Sequence, residues 1–162
     1  MSSTGRLARG TIALIAALVL AVACSRGDER FAGVQSRGHQ AMGVDQYTST
    51  HIFEPLPDGG RIELQRDVAD SAGIEQIRQH MHHIAGAFGA GDFSLPGFVH
   101  AQNVPGTAVM AAKRDAITYT VELLPRGAAV RLQTTDAAAV RAIHDFLAFQ
   151  RMDHHAGTGH GA

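Results

Sequence analysis

Apolar and polar residues alternate at every step along Ile117-Thr118-Tyr119-Thr120-Val121-Glu122-Leu123, and again along Val130-Arg131-Leu132-Gln133 after Pro125-Arg126-Gly127. Successive side chains of a strand point to opposite faces, so this pattern predicts a β-hairpin with one buried face. A second hairpin is expected earlier. There His51 to Leu56 precedes the turn residues Asp58-Gly59-Gly60, and Arg61 to Arg66 alternates around Ile62 and Leu64. Pro55 has no N–H to give a ladder, which marks the first of these strands as an edge.

Two stretches follow the helical period instead. After Asp70 and Ser71, either of which can cap a helix, apolar residues recur at Ile74, Ile77, Met81, Ile84, Ala85 and Phe88, ending at Gly89 and Gly91. After Thr135 or Asp136, Val140, Ile143, Phe146 and Leu147 give a second buried stripe running to about His154. Between Asp92 and Ala112 the pattern is weaker, and short strands are expected at Phe98 to Gln102 and Thr107 to Ala112 about a Pro105-Gly106 turn. The order hairpin, helix, hairpin, helix predicts an α+β fold: an antiparallel sheet with both helices packed on one face, and a candidate internal ββα duplication.

The front of the chain has a different character. Arg6 and Arg9 precede an apolar run, Thr11 to Ala23, that stops at Cys24, the only cysteine. A spanning helix needs about 20 apolar residues, so the run reads as a secretory leader. Leu20-Ala21-Val22-Ala23-Cys24 resembles a bacterial lipobox, which makes Cys24 the expected lipidated first residue of the mature chain. The expected organisation is a signal peptide over 1–23, a lipidated cysteine and flexible tether over 24–46, a single α+β domain over 47–155, and a His/Gly-rich tail over 156–162. Such a protein sits in the cell envelope facing the periplasm, and Ser25 after the cysteine favours the outer membrane. Its expected partners are the membrane, through the acyl anchor, and a protein of the envelope.

Charge and composition narrow the chemistry. The segment after the leader carries 12 of the 14 basic and all 15 acidic residues, a formal charge of −3 with histidines neutral. That balance lacks the clustered basic face of a nucleic-acid binder. With Cys24 committed to lipid, no disulfide is available to the domain. Histidine is the residue in excess, ten in all, every one after the leader. Its ordinary pKa near 6.5 opens both metal ligation and a response to mild acid.

His80 and His83 share one flank of the first predicted helix, three residues apart, while His82 points elsewhere. His144 and His154 lie on the second helix, and His100 stands ahead of the Pro105-Gly106 turn. The candidate metal ligands are therefore His80, His83, His100, His144 and His154. His154 and His155 also suit the negative pole at a helix C-terminus without any metal. Imidazole with thioether favours copper, imidazole with carboxylate suits zinc or nickel, and Met42, Met81, Met110 and Met152 accompany the histidines, so copper is favoured over zinc. Hydrolase and nucleotide signatures are missing: there is no Gly-x-Ser-x-Gly, no Gly-x-x-x-x-Gly-Lys and no His-Glu-x-x-His.

The segments Ile77-Arg78-Gln79-His80 through Gly91-Asp92-Phe93, Ala116 to Tyr119, and Ala142 to Leu147 through Asp153-His154 resemble a family of small, uncharacterised bacterial exported proteins, over roughly Met42 to Thr158. Some members carry the name aspartate carbamoyltransferase. That activity does not follow here, because the chain has no Ser-Thr-Arg-Thr-Arg loop for carbamoyl phosphate. The resemblance points to His80, His100, His144 and His154 and implies no activity. Two readings stay open: a lipoprotein domain that binds copper or zinc through histidines, or a non-catalytic interaction module whose histidines are incidental or pH-responsive.

Overall fold

The computed structural model describes residues 28–43 and 46–157. The chain divides into two units, 1–32 and 33–162; of the first only 28–32 are described, and they are helical. Cys24, the leader and His160 lie outside the described residues. The second unit contains α1 (33–42), β1 (Ser49–Leu56), β2 (Gly59–Arg66), α2 (Ser71–Gly89), α3 (Ser94–His100), α4 (Thr107–Ala112), β3 (Thr118–Leu124), β4 (Gly127–Gln133) and α5 (Ala137–His154).

The fold is α+β, with a four-stranded antiparallel sheet in the order β1-β2-β4-β3. Both expected hairpins form, with two-residue loops at Pro57-Asp58 and Pro125-Arg126, and β1 is an edge strand as Pro55 indicates. Phe53, Ile62, Leu64, Ala128, Val130 and Leu132 turn toward the helices and join one core with Ile77, Met81, Phe88, Ile143, Phe146 and Leu147. Each Val, Leu, Ile, Phe or Met side chain among them, removed from water, stabilises by about 1.5–3 kcal/mol before conformational entropy is counted. On the other face Arg61 bridges Glu63 and Glu122.

The two halves correspond at a fixed offset. Leu56-Pro57-Asp58-Gly59 matches Leu124-Pro125-Arg126-Gly127, and Ile62, Leu64 and Gln65 match Val130, Leu132 and Gln133. The central ladder pairs Gly59 with Gln133, Ile62 with Val130, and Gln65 with Gly127, so the halves meet about a local two-fold. Each helix then packs mainly on the other half's hairpin, α2 on β3 and β4 and α5 on β1 and β2. Side chains tie this exchange at equivalent places: Arg78 of α2 donates to the Leu124 carbonyl at 3.0 Å, and His144 of α5 to the Leu56 carbonyl at 2.9 Å.

Close approach of helix to sheet requires glycine at Gly60, where a Cβ would sit 2.2 Å from Leu147 Cδ1. At its other end α5 is capped by Asp136, whose Oδ1 accepts from the N–H groups of Ala138 and Ala139 at 2.8 and 3.0 Å.

Three segments differ from the sequence expectation. Residues 94–100 and 107–112 are helices, where short strands were expected. Pro96 sits in the first turn of α3, where its missing N–H has no intrahelical partner to lose, and Asp92 Oδ1 accepts from Ser94 N at 2.8 Å. Within the span expected as a tether, 33–42 is helical. Val34, Gly38 and Met42, spaced by one helical turn, are buried. Their glycine- and serine-rich surroundings weaken intrinsic helicity, and packing of this face overrides the deficit.

Candidate functional site

Four elements bring histidine to one region beside β1. Alternation in β1 puts Ser49, His51 and Phe53 on the helix-facing side, and all are buried. The buried stripe of α5 continues past its last apolar residue into Gln150, Asp153 and His154, which lie on one face by their three-and-four spacing. His100 ends α3, where Ala101 takes a left-handed conformation and stops the helix. His80 lies on the flank of α2 beside the core stripe of Ile77, Met81 and Ile84.

The rings meet in sequence. The His51 and His154 centroids are 5.7 Å apart, and His154 and His100 are 4.9 Å apart and perpendicular. Phe53 packs on His154 at 5.6 Å, and Phe149 meets His100 edge-on at 5.0 Å. His100 Nδ1 donates to Asp153 Oδ2 at 2.5 Å, and its Nε2 faces the side-chain oxygen Oε1 of Gln150, 3.0 Å away. Ser49 Oγ lies 3.2 Å from His51 Nε2.

Burial decides the charge of these rings. It pushes His51 down from 6.5 to about 4, helped by His80 and opposed by Asp67. Burial likewise takes His80 to about 4, with His83 adding to the effect and a hydrogen bond to the Ala41 carbonyl opposing it. His154 falls to about 2, first by burial and then by repulsion from His51, His100 and His155. Near neutral pH these three are uncharged imidazoles.

Two cavities share His51 and His154 as a wall. The inner one, about 80 Å³, is largely apolar and is also lined by His80, His100 and Met42. The outer one, about 270 Å³, includes Gln35, Ser49 and His155. Gln35 is 9% exposed, and its Oε1 is buried without a hydrogen-bond partner.

Of the ligands expected from sequence, His80, His100 and His154 come together. His83 is exposed on α2, and His144 is occupied at the end of the first hairpin, away from the inner cavity. Met81 and Met110 are fully buried core residues, and Met152 is exposed. His51, Gln150 and Asp153 were not among the expected site residues. The signal for His51 was present in the alternation that places it on the same face as Phe53. Among the described residues, no group of three or more His, Cys, Asp or Glu is arranged to hold a metal ion, and no helix is long and apolar enough to cross a membrane.

No protein-family model, curated protein or solved structure matches the chain.

Proposed function

We propose that this domain binds a transition-metal ion, copper favoured over zinc, through His51, His100 and His154, on a chain anchored in the cell envelope by lipid at Cys24. The contact of three imidazoles in series, at 5.7 and 4.9 Å between centroids, carries the reading. Asp153 on His100 Nδ1 is the carboxylate–histidine arrangement that orients Nε2 toward a metal. Burial keeps His51 and His154 in the neutral form that ligation needs. Binding would replace the contact of His100 Nε2 with Gln150 Oε1, release the proton held between them and turn the His51 and His154 rings to converge. Met42 on the same inner cavity supplies a thioether within the surroundings, which favours copper. The anchor rests on the leader and the Leu20-Ala21-Val22-Ala23-Cys24 pattern, with the outer membrane favoured.

Elemental analysis and titration calorimetry with copper and zinc salts test the site. One ion per chain is expected, and His51→Ala, His100→Ala or His154→Ala each weakens binding by about tenfold or more. His144→Ala and His39→Ala, the latter at an exposed position of α1, leave affinity unchanged. Absence of stoichiometric binding, or equal losses across all five variants, rejects the site.

A second reading, an envelope interaction module with pH-responsive histidines, is favoured by the burial of His51, His80 and His154 as neutral rings. It predicts a change in partner binding below pH 6 in protein that takes up no metal.

A further inference from the structure

The inner cavity has a chemistry of its own beyond the metal reading. Phe53, Ile62, Leu64, Ile84, Phe88 and Phe146 form its apolar lining, and the polar groups come from the histidines and Gln150. Gly38 and Ala41 of α1 and Leu95 and Val99 of α3 also line it, and Arg37 Nε donates to the Val99 carbonyl at 2.7 Å, tying those two helices together. Such a pocket, apolar with a few hydrogen-bonding groups, is the ordinary form of a small-molecule site.

We propose that this cavity binds a short-chain aliphatic alcohol, its alkyl body against Ile62, Leu64 and Ile84 and its hydroxyl donating to His80. Size sets the first limit: about 80 Å³ is roughly half the volume of an apolar cavity that takes benzene, which fits an alkyl group of about four carbons. Charge sets the second. An ammonium or carboxylate entering these walls gives up its hydration without a counter-ion, since Asp153 is already paired with His100. The polar end follows from His80. His80 lines the cavity, and a neutral imidazole carries one ring nitrogen with a lone pair, complementary to a hydroxyl. No ion is required, so the site stands or falls separately from the metal reading.

The test uses the full chain, stripped of metal with EDTA and carrying labelled isoleucine and leucine methyls, titrated with 1-butanol and followed by NMR. Saturable shifts are expected at the methyls of Ile62, Leu64 and Ile84, and none from butylammonium or butyrate. Ala41→Leu and, independently, Leu95→Phe fill the α1 and α3 sides and weaken binding by about tenfold or more. His80→Phe removes the acceptor and weakens 1-butanol binding by about fivefold, the worth of one neutral hydrogen bond. Shifts that do not saturate, shifts spread over surface methyls, tight binding of the charged analogues, undiminished binding in both filling variants, or unchanged affinity in His80→Phe would each overturn the proposal.

Discussion

His100 Nδ1 and Asp153 Oδ2 lie 2.5 Å apart, joining the end of α3 to the last turn of α5 across 53 residues of sequence, and both side chains are almost wholly buried. Removing the carboxylate leaves a buried donor without its acceptor. Asp153→Ala should therefore cost about 1–3 kcal/mol in chemical denaturation at neutral pH. Asp145→Ala, eight residues earlier at an exposed position, should change stability by less than about 0.5 kcal/mol. Equal effects would mean that the pair adds nothing beyond surface charge.

Acid should destabilise the metal-free protein through the neutral histidines. The folded-state values of His51 and His80, about 4, and of His154, about 2, lie below the unfolded value of 6.5. The unfolded chain then binds more protons, so stability rises with pH and is lost as pH falls from about 6.5 toward 4. At pH 5 one such histidine accounts for about 2 kcal/mol. Melting midpoints measured from pH 7.5 to 5 in EDTA should fall steeply, and His51→Phe should flatten the profile. A flat parent profile would place these rings in solvent.

The same substitution should have opposite signs at two glycines. Gly60→Ala drives a Cβ to 2.2 Å from Leu147 Cδ1 and 3.0 Å from the Glu54 carbonyl, and should cost about 1–3 kcal/mol. Gly86→Ala, exposed on α2 with nothing within 4 Å of the new atom, should gain up to about 1 kcal/mol. Urea unfolding of both variants checks the fit of α5 onto β2.

Packing of α1 can be separated from a tether in one comparison. Val34 is 0% exposed, so Val34→Asp buries an unpaired charge and should cost about 3 kcal/mol or more. Ser36→Asp, two residues on and exposed, should stay within about 0.5 kcal/mol. Equal stabilities by thermal unfolding would detach α1 from the core.

What sequence determines by itself in this protein is local. Alternation around Ile62, Val121 and Val130 specifies strands and their buried face, and Leu-Pro-x-Gly closes both hairpins. The Ile77-Met81-Ile84-Phe88 and Ile143-Phe146-Leu147 stripes specify the two long helices, because each signal needs only neighbours within one strand or a few helical turns. Weak local signals misled where packing decides: 33–42 lacks a strong apolar period, and the short apolar runs at 94–100 and 107–112 suit strand or helix alike.

The histidine cluster belongs to tertiary structure. His51, His80, His100 and His154 come from β1, α2, α3 and α5, and nothing in their spacing announces that they meet. They meet because β2 pairs with β4 and each long helix crosses to the other half's hairpin, which lays the end of α5 beside β1. The same crossing takes His144, equally plausible in sequence, to the Leu56 carbonyl instead. Spacing along a helix says which histidines share a face; only the pairing of distant strands decides what that face meets.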